Sequence, residues 1–377
     1  MFSFNVILPE LNSYLTLIGG GEYKGLIIVF FTISAAIARP FSGKISDVIG
    51  RKRIVYFGLF LCIIASFSYL IHLSVLLFLV LRFLHGFSVG FTPTAATAMV
   101  SDILPVDRRG EGMGVWGTFI SIGIGLGQLS STFIFSFFGI DGLFLVSSFS
   151  AIISLFFIVK VKESLTIIKP FTFAILRLKW ADIVDRAVLP PAIVMLLTST
   201  SSGLVFVLSP DLAPMLGIAN KGWFFIFYVL VTIIIRFFTG KLSDRIGREK
   251  TLFYGVLLLI VSMCLLTQSD NWWMFTLSSV FFGCATGINS PALFAWTADL
   301  SNPERRGVGV GTMFIALEFG IMIGAFVTLL FYKNTLTSAL LTFYAGVFFS
   351  FISLIYLIYI KKKRSVNRPQ KNKFKKN

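Results

Sequence analysis

One charged sequence occurs twice in this otherwise apolar chain. Residues 39–53 read RPFSGKISDVIGRKR and residues 236–250 read RFFTGKLSDRIGREK, with nine identities in fifteen positions. A second pair has the same offset of 197 residues: DILPVDRRGEGMG at 102–114 and DLSNPERRGVGVG at 299–311. Because two separate motifs share one offset, we infer that the chain consists of two homologous halves.

The apolar runs between these motifs indicate a membrane protein. Of the 377 residues, 56% are hydrophobic and 13% are charged, whereas an ordinary soluble domain has about 25% charged residues. Runs of about 18 or more apolar residues, which are long enough to cross a bilayer, recur along the chain, for example at 141–159 and 337–360. The composition therefore predicts an all-α integral membrane protein.

The positive charge of the chain is distributed unevenly. In a soluble protein, a formal charge of +16 would suggest binding to nucleic acid. Here the cations lie mainly in alternate loops and in the acid-free tail 361–377, and the intervening loops contain only Lys24, Lys221 and Lys333. Because lysine and arginine concentrate in cytoplasmic loops, we expect these basic loops and the C-terminus in the cytoplasm, the tail against anionic lipid, and no nucleic-acid partner.

Both copies of the motif need the same orientation, which requires an even number of spans in each half. Six fit, so we predict two pseudo-symmetric six-helix bundles at 1–159 and 187–360, a cytoplasmic linker at 160–186 and the tail at 361–377. The predicted spans are 1–18, 23–43, 54–71, 75–100, 111–136, 141–159, 187–210, 222–240, 251–268, 272–297, 308–331 and 336–360.

The first predicted helix is shorter than its counterpart in the second half. Residues 187–209 precede Pro210, whereas only eight residues precede Pro9. Helix 1 is therefore expected to be incomplete and too short for a hydrocarbon core of about 30 Å. Two explanations are open: a misassigned start codon or a truncated copy.

The repeated motifs carry a resemblance to a known family. One pattern consists of a glycine, a branched residue, an aspartate, a glycine and an arginine. The first copy is Gly43, Ile45, Asp47, Gly50 and Arg51, and the second copy is Gly240, Leu242, Asp244, Gly247 and Arg248. A second pattern is met by Arg82, His85, Gly86 and Gly90. With these motifs the whole chain resembles the 12-helix transporters of the major facilitator superfamily, including drug and sugar exporters.

The resemblance implies a role for the repeated aspartates. Gly43 and Gly50 are expected to form a tight turn, while Asp47 reaches the start of helix eleven in the opposite half. By symmetry, Asp244 should face the start of helix five. The two contacts would act as latches that hold the cytoplasmic side shut. The alternative is a solvated loop that only sets the orientation in the membrane.

Ionisable residues inside a span are expensive and are therefore candidates for function. Arg82 and Glu318 lie near the predicted midplane. The resemblance implies that Arg82 serves proton coupling or substrate charge, and we expect Glu318 to carry protons, with His85 and Gln128 as secondary candidates. Gln128 stands where the proton-antiporter motif of the family has a proline. Arg82 could instead be a structural donor, and Glu318 could be a neutral hydrogen-bonded acid or an ion-pair partner of an arginine such as Arg82.

Other charged and kinking residues have simpler predicted roles. Arg39 and Arg236 are expected to be anchors at the cytoplasmic helix ends. Pro93 and Pro291 are expected to kink helices four and ten, which line the central cavity in the family.

The remaining residues argue against enzyme chemistry. The three cysteines and two histidines have no metal-site spacing, and the chain contains no GxxxxGK[ST] motif of a nucleotide-driven pump. We therefore expect no enzyme activity, cofactor or metal. The predicted function is a monomeric secondary transporter in the cell (inner) membrane that exports a small organic solute as a proton antiporter. The alternatives are an uptake symporter for a sugar or organic acid, or a sensor that does not transport.

The first testable prediction concerns orientation. A single cysteine placed at Lys361 should be protected from an impermeant thiol reagent in intact cells, and a cysteine at Lys221 should react. Labelling at Lys361 without labelling at Lys221 would contradict the predicted orientation.

Overall fold

The computed structural model describes residues 1–71 and 74–366. Within those residues the chain is helical and contains no strand, which confirms the all-α prediction. Nine helical stretches of this part of the chain are long and apolar enough to cross a membrane, and one of them, Val106–Val159, contains two predicted spans. The last helix ends at residue 366, so most of the basic tail lies outside the described residues.

Among the described residues of the first half, 1–71 and 74–159, there are six α-helices: α1 Phe2–Asn5, α2 Leu11–Leu17, α3 Lys24–Ile49, α4 Arg51–Ser68, α5 Val75–Ile103 and α6 Arg109–Val159. The predicted span 1–18 is not one continuous helix, because α1 and α2 are separated by a 3₁₀ turn at Leu8–Glu10 that contains Pro9. The predicted spans 111–136 and 141–159 are two arms of α6. They meet at Gly139, whose φ of 64° and ψ of −165° break the helix and favour glycine.

A short helix, α7 Trp180–Ile183, lies in the connection between the halves. The second half contains α8 Leu189–Met215, α9 Trp223–Ile246, α10 Arg248–Leu266, α11 Trp272–Leu300, α12 Arg306–Phe331 and α13 Leu336–Val366. Each predicted span of this half corresponds to one of these helices.

The halves pack through two helix pairs, α3 with α12 and α6 with α9. Part of this contact is an apolar core of Ile28, Val29, Val207 and Ala325. Large apolar side chains point away from the bundle, including Phe133, Phe137 and Phe156, each at least 65% exposed. Apolar surface of this extent is typical of contact with lipid.

The two ends of the bundle differ in charge. We call the end where α3 and α9 terminate the basic face, because it contains the arginine-rich loops and the linker. The other end, the opposite face, has two ion pairs between the halves: Lys24 with Asp211 at 2.9 Å and Lys221 with Glu10 at 3.4 Å.

The linker is docked on the basic face. The backbone N–H of Lys169 donates to the carbonyl of Val48 at 2.9 Å. Asp182 pairs with Lys44 of the first half at 2.9 Å and with Arg305 of the second half at 3.0 Å. Partial burial opposes ionisation of this carboxylate, but the hydrogen bond from Lys44 and the other cations hold its pKa below the usual value.

Asp182→Asn should therefore release the linker and speed its cleavage in limited proteolysis. Exposed ion pairs contribute roughly 0.2–1 kcal/mol each, so we expect an increase of about two- to fivefold at neutral pH. Because the pKa is lowered, the wild-type protection should persist until the pH falls below the usual aspartate range. Equal cleavage rates for the variant and the wild type would contradict this prediction.

Candidate functional site

Asp47 connects the two halves at the basic face. It lies in the last turn of α3 and accepts hydrogen bonds from the backbone N–H groups of Gly307 at 2.8 Å and Val308 at 3.0 Å. These groups belong to the first turn of α12, where N–H groups are unpaired and the helix dipole is positive. The predicted contact between Asp47 and the opposite half is therefore present.

Asp244 makes the matching contact in the second copy. Its carboxylate accepts from the N–H groups of Gly110 and Glu111, both at 3.1 Å, at the start of α6. The side chain of Asp244 is 17% exposed, against 7% for Asp47. The first copy is thus the more deeply buried of the two.

An arginine and a second aspartate extend the first contact. Arg51, which follows the turn after α3, pairs with Asp47 and with Asp102 at 3.1 Å. Asp102 also pairs with Arg306 of the opposite half at 3.3 Å. Three charges of the first half and one of the second therefore form one connected network.

The second copy repeats this network. Arg248 pairs with Asp244 at 2.5 Å and with Asp299 at 3.0 Å, and Asp299 pairs with Arg109 of the first half at 3.0 Å. Sequence reasoning aligned Asp102 with Asp299 but gave them no role. The shared offset of all four charged positions was the signal that could have identified them.

The glycines of the motif have two different roles. Gly50 has a φ of 113° and forms the predicted turn, and Gly247 forms the equivalent turn of the second copy with a φ of 91°. Gly43, in contrast, lies inside α3, and its predicted place in the turn is wrong. A Cβ atom at Gly43 would stand 2.7 Å from the carbonyl oxygen of Gly307, and one at Gly240 would stand 2.8 Å from that of Gly110. These glycines therefore permit backbone contact between the halves.

A central cavity of about 250 Å³ lies between the halves. Its wall is mainly apolar and aromatic and includes Phe31, Phe206 and Phe314. Its charged side chains are Arg39, Arg82, Arg236 and Glu318. The structure thus brings both midplane candidates, Arg82 and Glu318, to one cavity.

Arg39 and Glu318 form an ion pair across the halves. Arg39 Nη2 lies 2.7 Å from Glu318 Oε1, and the two side chains are 2% and 6% exposed. Arg39 also donates to Thr94 Oγ1 at 2.8 Å, and its guanidinium lies 4.3 Å from the centre of the Phe314 ring.

The ion pair corrects one expectation and identifies the arginine that pairs with Glu318. Arg39 is not a surface anchor, because α3 continues ten residues beyond it, about 15 Å along the helix. The partner of Glu318 is Arg39 and not Arg82.

Arg82 lies on α5 with a fully buried side chain. Its guanidinium lies 4.7 Å from the centre of the Phe31 ring and 5.8 Å from that of Phe4. Nη1 reaches the hydroxyl of Tyr69 at 3.4 Å, while Nε and Nη2 have no hydrogen-bond partner.

The secondary candidates lie behind the cavity wall. His85 packs against aromatic rings, and its Nε2 lies 3.5 Å from Cys62 Sγ. Gln128 donates to Asn5 Oδ1 at 3.4 Å. Both are buried side chains that support the first half rather than line the cavity.

Two further sequence expectations concern Arg236 and the prolines. Arg236 is 6% exposed and lines the cavity, so its predicted position at the membrane surface is wrong for the same reason as that of Arg39. Pro93 and Pro291 lie inside α5 and α11, where each removes one helical hydrogen bond.

Among residues 1–71 and 74–366, no group of three side chains is suited to hold a metal ion.

Comparison with known proteins agrees with this architecture. A family model described as the Major Facilitator Superfamily matches residues 1–218 and again 191–377. A crystal structure of the human organic anion transporter MFSD10 (TETRAN) superposes with a TM-score of 0.75 over 94% of this chain and 95% of that one, at 19% sequence identity.

Three curated relatives are transport or resistance proteins. An uncharacterized MFS-type transporter, MJ1560 of Methanocaldococcus jannaschii, is 24% identical over 86% of both chains. Multidrug resistance protein 2 of Bacillus subtilis is 30% identical over 43% of this chain and 41% of its own length. Quinolone resistance protein NorA of Staphylococcus aureus is 28% identical over 32% of each chain. The repeated halves, their paired contacts and these matches establish that the chain belongs to the major facilitator superfamily, whose members are membrane transporters rather than enzymes.

Proposed function

We propose that this protein exports a small organic solute in exchange for protons, by opening the central cavity alternately at its two faces. The observation that carries this proposal is the ion pair between Arg39 and Glu318. It joins the two halves inside the cavity, so proton uptake by Glu318 and separation of the halves would be linked. The partial matches to resistance proteins support export over uptake.

The charge distribution supports an orientation for this cycle. If the basic face is cytoplasmic, as the excess of lysine and arginine predicts, the Asp47 and Asp244 networks close the cytoplasmic side. The ion pairs of Lys24 and Lys221 close the other side. In this proposal the protein acts as a monomer in the cell membrane, with its C-terminus in the cytoplasm, and opening either face requires breaking the ion pairs there.

Proton coupling follows from the surroundings of Glu318. Protonation would remove the partner of Arg39 and leave a buried, uncompensated cation, which is strongly unfavourable. The halves could then separate until the guanidinium meets water or substrate. Deprotonation would restore the pair and close the cavity again.

Asp47→Asn should slow transport by about tenfold or more, because removing one partner of a buried ion pair typically costs 3–5 kcal/mol. Asp244→Asn should have a smaller effect, since its carboxylate is more exposed. Solute flux is measured in reconstituted vesicles at equal protein content. The matched control is Asp107→Asn, an exposed aspartate on the same face. Wild-type rates for Asp47→Asn would dismiss the latch role.

Glu318→Gln should abolish solute accumulation driven by a pH difference but leave solute exchange at equal pH intact. Glutamine can still accept a hydrogen bond from Arg39, but it cannot take up a proton. Both fluxes are measured in the same vesicles. If the glutamine variant still builds a solute gradient from a pH difference, Glu318 is not the coupling residue.

The same vesicles distinguish the alternatives. An uptake symporter would accumulate solute in the direction of proton flow, and an exporter against it. A sensor would bind solute and show no flux, with or without a proton gradient.

A further inference from the structure

The central cavity has more positive charge than it can neutralise. Three arginines and one glutamate line it, and the glutamate is committed to Arg39 at 2.7 Å. Arg82 and Arg236 remain, and neither has a carboxylate within 4 Å among the described residues. Each also has two guanidinium nitrogens without a hydrogen-bond partner. A buried, unpaired cation is costly, so the cavity is suited to a ligand that supplies negative charge.

The internal repeat shows where that negative charge is missing. Arg39 and Arg236 are equivalent at the offset of 197 residues, and Glu318, the partner of Arg39, is equivalent to Ser121. The first copy of the site therefore holds a carboxylate from the protein. The second copy has a serine in its place.

A neighbouring position confirms that the two sites correspond in space. The ring against the Arg39 guanidinium belongs to Phe314, whose equivalent in the first half is Gly117. A Cβ atom at Gly117 would collide with Arg236 Nη1, so this position contacts the second arginine as Phe314 contacts the first. Phe314 and Glu318 lie one turn apart, as do Gly117 and Ser121. Both the ring and the carboxylate of the first site are thus absent from the second.

Without these two groups, the guanidinium of Arg236 has few contacts that stabilise its charge. Its Nη2 donates to Ser290 Oγ, but Nε and Nη1 have no partner. Arg82 is covered by the rings of Phe31 and Phe4, which stabilise a cation without neutralising it.

Resting on the proposed transport function, we propose that the substrate is a small organic anion with an apolar body. Arg236 binds its carboxylate or sulfonate in the place that Glu318 occupies at Arg39. Arg82 supplies a second positive charge from the opposite half, and the aromatic wall contacts the apolar body. A planar guanidinium forms two parallel hydrogen bonds to such a group. The cavity volume of about 250 Å³ restricts the ligand to a small molecule.

Direct binding tests this proposal on the purified full-length protein in lipid nanodiscs. The probes are 2-naphthoate, naphthalene-2-sulfonate and 2-naphthylmethylammonium, which share one ring system and differ in charge. We expect the two anions to bind and the cation not to bind. Binding of the cation alone, or of none of the three, would overturn the proposal.

The decisive variant restores the missing carboxylate. Ser121→Glu should pair with Arg236 and weaken anion binding by about tenfold or more, since a charge-assisted contact is lost. Ser121→Gln has almost the same shape without the charge and should retain wild-type affinity. Equal losses in both variants would mean that the effect is steric, and the proposal would be wrong.

Two arginine variants provide a second, independent binding test, which remains valid if the Ser121→Glu protein does not fold. Arg236→Gln and Arg82→Gln should each weaken anion binding by about tenfold or more. Unchanged affinity in both would reject the site. Because binding is measured without a gradient, a protein that binds anions but shows no flux would contradict the transport proposal alone. A protein that transports only cations would contradict the anion proposal alone.

Discussion

The Arg39–Glu318 pair is the interaction on which the centre of this molecule depends. A charged group inside a bilayer is tolerated when it faces the protein interior and has a partner. Here the two partners come from different halves. The charges in the cavity are therefore neutralised only while the halves are packed together. Moving α3 away from α12 would expose both charges at once. This constraint explains why Arg39 also contacts Thr94 and the Phe314 ring, contacts that keep the guanidinium in place.

The contacts at the basic face join the two halves through helix N-termini and through ion pairs. Each aspartate occupies the N-terminus of a helix in the other half, and the glycines let the two backbones touch. An arginine then bridges that aspartate to a second one, which accepts a cation from the other half. These contacts are polar and are clustered at one end of the bundle. On the opposite face, Lys24 and Lys221, whose side chains are partly exposed, reach across to Asp211 and to the buried Glu10. Contacts between the halves are therefore present at both ends of the bundle.

The repeat is equally informative where its symmetry is broken. The two arginines at equivalent positions reach equivalent depths, but only one has a carboxylate and a ring beside it. Arg82 has no counterpart either, since its equivalent is Ser279. The scaffold at the basic face is therefore nearly two-fold symmetric, while the cavity is not. The differences at the cavity leave the two arginines at equivalent positions with different neighbours.

The sequence by itself determined the class of protein, its all-α character and its internal repeat, whereas the partners of Asp47 and Asp244 were expected from the family resemblance. The class and the repeat follow from hydropathy, from charge asymmetry and from an offset shared by separate motifs, all of which are local or periodic properties of the chain. Only the tertiary structure decided the partner of Glu318, the burial of Arg39 and Arg236, and the role of Gly43 inside a helix. The second and eighth helices were predicted to end at 43 and 240, but α3 and α9 continue to Ile49 and Ile246. In these last turns Asp47 and Asp244 accept hydrogen bonds from backbone N–H groups of the opposite half. Which side chains meet inside the cavity depends on how two bundles rotate against each other, and no one-dimensional pattern encodes that rotation.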